Sequence, residues 1–151
     1  LLLDVIEHLK SPEQFLIKLK KKIDKHPNIN VIMSTPNIGF ILIRLMLLLG
    51  SFNYGKNGIL DKTHTRLFTF SSFKNLLIQN GFKITEISGI PAPLPLVTGN
   101  NLLGKSLIKI NQFFIFIRKT LFSYQIYSIV YPVTSIELLL EQAETNADQK
   151  K

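Results

Sequence analysis

The chain has 151 residues, 46% of them hydrophobic, no cysteine, and a net charge of +8 carried mostly by lysine. That hydrophobic content suffices for a packed core and argues against wholesale disorder. The lack of cysteine excludes disulfides, thiolate zinc sites, iron–sulfur clusters and cysteine nucleophiles, so any metal site must use carboxylates, imidazoles and carbonyls.

The first predicted element is the opening run LLLDVIEHL, residues 1–9. A strand apolar on both faces reads as a buried parallel strand. Asp4, Glu7 and His8 then fall where it ends, and in open α/β sheets ligands bind at the carboxyl ends of strands. Nothing precedes Leu1 to supply neighbours for such a strand, so the expectation is the second half of a larger domain. Ser11-Pro12-Glu13-Gln14 starts a helix, with Ser11 as cap and Gln14 completing a capping box. Phe15, Leu16, Leu19 and Ile23 give it one apolar stripe, and Pro27 ends it. The basic run KLKKKIDK, residues 18–25, complements the helix dipole. It has no interleaved aromatics, which argues against a nucleic-acid face.

NVIMSTPN, residues 30–37, reads as a strand closing on a turn, so strand, helix and strand form a parallel βαβ unit. Residues 38–49, apolar except for Arg44, read as a short buried or lid-like helix stopped by Gly50. Residues 51–70 read as a loop, and loops of that length inside a domain are usually functional. A helix capped by Ser71 or Thr69, with Gly81 just past its end, and a strand over residues 82–90 follow. Pro91, Pro93 and Pro95 make an extended joint. Leu103, Leu107, Ile110, Phe114, Ile117 and Leu121 keep the spacing of an amphipathic helix, and residues 123–132 read as a final strand. The chain is thus read as one α/β domain over residues 1–134 and a polar, disordered tail over 135–151. The apolar stretches 38–49 and 107–131 are both interrupted by polar residues, which excludes a spanning helix but leaves room for peripheral membrane contact.

Three strings occur in order: DVIEHL at 4–9, STPN at 34–37 and GILDKTHTRLFT at 58–69. Together they resemble class I S-adenosylmethionine-dependent methyltransferases, most of all the bacterial type 11 and type 23 groups, over residues 1 to about 131. The resemblance implies a Rossmann-like sheet of order 3-2-1-4-5-7-6, of which this chain would supply strands 4, 5, 6 and 7, the last antiparallel. It implies methyl transfer, taken here as transfer to an oxygen of a small-molecule, sugar or lipid-linked acceptor by a cytoplasmic enzyme. The family's glycine-rich loop and ribose-binding acid do not occur in this sequence, so the chain alone is expected to be inactive and to need the missing N-terminal half of its domain.

On the family's scheme Asp4, Val5 and Ile6 line the methionine side of the cofactor; Asp4 equally suits a carboxylate that bonds backbone N–H groups of its turn. Two subfamilies, the ubiquinone-biosynthesis O-methyltransferases and the small-RNA 3′-terminal ribose methyltransferases, carry E-x-x-E-H here and a later His in a loop like DKTH, and bind a divalent cation. Glu7, His8 and His64 match that pattern, and Asp4 stands in place of the first Glu. The resemblance implies Mg²⁺, Mn²⁺ or Zn²⁺ on Asp4, Glu7, His8 and His64. The plainer alternative has Glu7 solvated, His8 packed as a staple and His64 bonded within its own loop. Without a metal, His8 or His64 is the candidate general base. Asp61 and Arg66 are expected to pair with each other or cap the loop, Arg44 to pair or snorkel, and Phe52 and Tyr54 to cover the acceptor or simply pack. The rivals to an enzyme are a truncated, non-enzymatic fragment and a basic amphipathic membrane-surface or interaction protein.

Overall fold

The run of β-branched and apolar residues after Asn30 makes β2 (Val31–Pro36), whose side chains are buried almost without interruption. That is the signature of a strand covered on both faces. The computed structural model describes residues 1–23, 29–94, 99 and 101–133, and over them β2 sits inside an open, mixed four-stranded sheet with flanking helices. The chain is α/β, and the sheet order is β1-β2-β4-β3, with β1 at Leu2–Leu3, β3 at Phe82–Ile90 and β4 at Gln125–Pro132. β1 pairs parallel to β2, with Leu2 opposite Met33. The last strand, β4, inserts between β2 and β3 and runs antiparallel to both. Along β4 the residues Ile126, Ser128, Val130 and Pro132 are buried in strict alternation, as a strand with one face in the core requires.

The sequence predicts β1 as a buried strand, and here the structure differs. β1 pairs only with β2 among the described residues, and Leu1 and Leu3 are 83% and 53% exposed. An edge strand is covered less fully than a central one, so Leu3 stays in water while Leu2 is half-buried against the main core.

α1 (Pro12–Ile23) begins with its proline at the first helical position, where a missing N–H costs nothing. Its predicted stripe is the packing face: Leu16 is fully buried, and Phe15, Leu19 and Ile23 pack around it. α3 (Phe70–Gln79) is capped by Thr69, not Ser71. The Thr69 hydroxyl accepts from the Ser72 N–H while the Ser72 hydroxyl accepts from the Thr69 N–H. Gly81, at φ 79°, turns the chain from that helix into β3. Leu16, Met33, Phe68, Phe73, Leu77, Phe82 and Ile126 form the main core between these helices and the sheet.

α2 (Ile41–Leu48) is not the buried helix its composition suggests. Ile43 alone is buried, while Leu42, Leu45, Leu47 and Leu48 face outward. Ile43 and Phe40 pack on Ile59 and Leu60 of the following loop in a second, smaller cluster. α4 (Leu102–Phe122) is the predicted amphipathic helix, capped by Asn101, but it turns back on itself at Arg118 (φ −150°, ψ 80°). The Asn111 side chain donates to the Phe122 carbonyl at 3.0 Å, and the Phe114 and Phe122 rings lie 4.9 Å apart between centroids. The expected helix stop at Pro27, the joint at Pro95 and the polar tail lie outside the described residues.

Candidate metal and acceptor site

Parallel β1 and β2 end on the same side of the sheet, and antiparallel β4 begins there, with Gln125 opposite Pro36. This juxtaposition makes a cleft of about 230 Å³ lined by residues of four segments: Asp4, Glu7 and His8; Pro36; Asn57, Gly58, Asp61 and His64; and Tyr124 and Gln125.

Asp4 leaves β1 at φ +53°, in the left-handed region that Asp tolerates better than most residues. The Ser34 hydroxyl donates to its carboxylate at 3.0 Å, and the Gln125 side-chain amide donates to both carboxylate oxygens at 2.9 and 2.8 Å. The carboxylate is therefore held by side chains of two other strands. The Asp4 N–H lies against Ser34, the partner of Leu3 across the ladder.

The turn at Asp4 leads into a single 3₁₀ turn, Ile6–His8, that carries the next two candidates in opposite directions. Glu7 is 1% exposed, and neither carboxylate oxygen has a hydrogen-bond partner among the described residues. Burial raises its pKa above the ordinary glutamate value, and the charge of Asp4 adds to the rise. Its own backbone N–H, the Thr35 hydroxyl and His64 pull the other way, though neither of the first two reaches hydrogen-bonding geometry with it. The Thr35 hydroxyl is itself buried and unpartnered. Orphaned buried carboxylates are rare and mark strain, catalysis or an ion site.

The loop meets this turn through its backbone. The Glu7 carbonyl accepts from the N–H groups of Thr65 and Arg66, at 2.9 and 3.1 Å, and from the Thr65 hydroxyl at 3.1 Å. Those bonds bring His64 to His8, with ring centroids 4.8 Å apart and edges facing. His8 Nδ1 lies 3.2 Å from the Thr63 carbonyl oxygen, and His64 Nδ1 lies 2.9 Å from that of Ile59. A carbonyl only accepts, so in the neutral rings Nδ1 carries the proton and Nε2 presents its lone pair. The same arrangement orients metal-ligating histidines.

One donor atom from each of Glu7, His8 and His64 lies within 4.8 Å of the other two. Cation–donor bonds of about 2.0–2.2 Å require donors within about 4 Å of one another, so the three need draw in only slightly. A buried carboxylate with no partner and two imidazoles with free lone pairs fit a divalent cation. Asp4 shares the cleft but is committed to Ser34 and Gln125, so it is a flanking charge and not a fourth member of this cluster.

Glu7 is therefore not the solvated carboxylate of the plainer alternative, and His8 is no packed staple. His64 does bond within its own loop, through the nitrogen that leaves the other one free. Of the expected cofactor-side residues only Asp4 lines the cleft. Ile6 is wholly buried in the main core and Val5 lies off the cleft wall. Asp61 and Arg66 do not pair: the Asp61 carboxylate accepts from the Thr63 N–H and hydroxyl at 2.8 and 2.7 Å, and Arg66 pairs with Glu13. The Thr63 N–H, and then its hydroxyl, lower the Asp61 pKa. Asp61 thus shapes the turn that carries His64. Arg44 donates to the Gly39 carbonyl at 2.7 Å, closing the start of α2. Phe52 and Tyr54 stack edge to face on each other, outside the cleft wall.

Ser34, Gln125 and Tyr124 were missed from sequence. Ser34 sits in the STPN string as apparent turn chemistry, and Gln125 comes from a strand that nothing local ties to Asp4. Tyr124, next to Gly58, has its pKa raised by burial and then by the Asp4 charge. Neither a protein-family model nor a curated protein matches this chain.

Proposed function

We propose that this chain forms the acceptor side of a class I S-adenosylmethionine-dependent methyltransferase, acting on a hydroxyl group with the help of a divalent cation. The observation that carries the reading is the meeting of Glu7, His8 and His64, from two distant strings, at the carboxyl ends of the parallel strands. The strand order supports it too: β1-β2-β4-β3, with β4 antiparallel, is what the 4-5-7-6 end of that family's sheet requires.

A small acceptor would fill the cleft with its hydroxyl toward the two histidines. A cation on Glu7, His8 and His64 would act as a Lewis acid, making that hydroxyl easier to deprotonate. Asp4, fixed by Ser34 and Gln125, keeps a negative charge at the same wall, matching a positively charged methyl donor. Where no cation is bound, Nε2 of His8 or His64 would take the hydroxyl proton as general base. Asp61 and the backbone bonds to Glu7 keep these groups in register, as positioning demands. The residues present do not make a complete donor site, since no glycine-rich loop or ribose acid occurs in the sequence, and no step is derived through the donor.

The test is transfer of labelled methyl from S-adenosylmethionine to hydroxyl-bearing acceptors by the protein that contains this chain. Transfer that stops with a chelator and returns with Mn²⁺ or Mg²⁺ supports the reading. Activity indifferent to chelation overturns the cation, and absence of transfer to any such acceptor overturns the class.

A further inference from the structure

α4 turns the wrong way for a helix whose apolar residues serve the core. Its inner side carries Gly104, which is buried, Asn111, whose amide bonds the Ala92 N–H, and Ile115 against Gly89. These positions recur at steps of seven and four. Of the predicted apolar stripe, Leu103, Ile110, Phe114 and Ile117 point the other way and are exposed. Phe113 and Phe116, beside that stripe, are exposed as well, Phe116 to 88%. Lys105 and Lys109 flank this stripe in solvent, and the helix contains four basic residues and no acidic one.

An apolar surface of this size is costly to leave in water and marks a contact. Two facts select the partner. The charge is all of one sign, so a second copy of a chain that carries +8 is repelled, whereas an anionic surface is attracted. Large aromatics and leucines beside lysines are the pattern of a helix lying in the plane of a lipid headgroup layer. Among the described residues no helix is long and apolar enough to cross a membrane, so the contact would be in-plane.

We infer that the outward face of α4 docks on an anionic lipid bilayer, with Phe113 and Phe116 in the acyl boundary and Lys105 and Lys109 at the headgroups. The start of α2 joins the same corner. The Asn37 side chain donates to the carbonyls of Thr120 and Ser123, at 3.2 and 2.9 Å, so the outward leucines of α2 spring from where α4 ends. The inference stands apart from the methyl-transfer reading, because vesicle binding needs neither donor nor acceptor.

The test is co-sedimentation of the 151-residue chain with vesicles of phosphatidylcholine, alone or with 30% phosphatidylserine. Binding is expected only to the anionic vesicles, weakening steeply in high salt. Replacing Phe113 and Phe116 together by Ser should weaken it at least about tenfold. Lys105→Glu with Lys109→Glu should cost about fivefold or more per lysine, the value of one cation near such a surface. Ile78→Ser, an exposed apolar position on α3, is the control and should bind like the parent. Equal binding to neutral and anionic vesicles overturns the inference, as does no binding, or unchanged binding by the Phe pair. A concentration-dependent dimer lost in the Phe113 and Phe116 double variant would overturn it in favour of a second copy.

Discussion

Replacing Glu7 by Gln separates an ion site from an ordinary core position, because the two readings predict opposite signs. At 1% exposure and without a partner among the described residues, the Glu7 carboxylate is ionised at neutral pH only at a cost. A polar group left unsatisfied in a protein interior costs about 1–3 kcal/mol. The carboxyl borders an open cleft, and solvent screening puts its share near the low end, about 1 kcal/mol. Since folding raises its pKa, Glu7 stabilises the fold fully below the ordinary glutamate value of 4.5 and loses that contribution as pH rises through the raised folded value. Glu7→Gln should therefore raise the melting temperature at pH 7 by about 2–4 °C, at roughly 2–4 °C per kcal/mol for a chain of this size. The gain should vanish as the pH falls towards 4.5 and below. Mn²⁺ at about 100 times its Kd should stabilise the parent chain by about 2.7 kcal/mol, or about 5–11 °C, and should do little for Glu7→Gln. Differential scanning fluorimetry across pH, with and without Mn²⁺, reads both effects. A variant that is less stable than the parent at pH 7 and equally responsive to Mn²⁺ would refute the reasoning.

His64→Ala should lower Mn²⁺ affinity in calorimetry by at least about tenfold, and Asp61→Ala by a smaller factor through the turn it holds; affinities unchanged in both would remove the cluster as a site. Gly89→Ala should destabilise the chain by about 1–3 kcal/mol in urea, because the added methyl would sit 1.7 Å from Ser123 Oγ and 2.7 Å from its Cβ. An unchanged midpoint would show that β3 and the end of α4 are not packed as described. Asn37→Ala should cost about 3 kcal/mol or more in the same assay, since it strips bonds from the Thr120 and Ser123 carbonyls and the Gly39 N–H within a buried corner.

Much of the secondary structure was legible because its causes are local. Periodicity located α1, α3, α4 and the strands after them, Gly81 marked a left-handed turn, and the Pro12 start needs only its neighbours. Local pattern picked out Glu7 and His8, an acid and an imidazole beside a strand end; His64 joined them only through the family resemblance of its loop. Burial was less legible. Periodicity says that α4 has an apolar stripe but not which way the stripe faces. Its composition made α2 look buried, yet only Ile43 is buried, with Ile41 and Met46 packed partly against the same small cluster.

By itself, then, the sequence determined the alternation of strands and helices and the chemical cast of the site: carboxylates and imidazoles, no thiols. Only the tertiary structure decided that β4 would come between β2 and β3, bringing Gln125 to Asp4, and that the Glu7 carbonyl would capture the loop and set His64 beside His8. The reason is physical. Hydrogen bonds within a turn or helix are specified by residues a few places apart. A ladder register, a carbonyl reached from a distant loop and the side of a helix left in water depend on how the elements pack, and no short stretch of sequence encodes that.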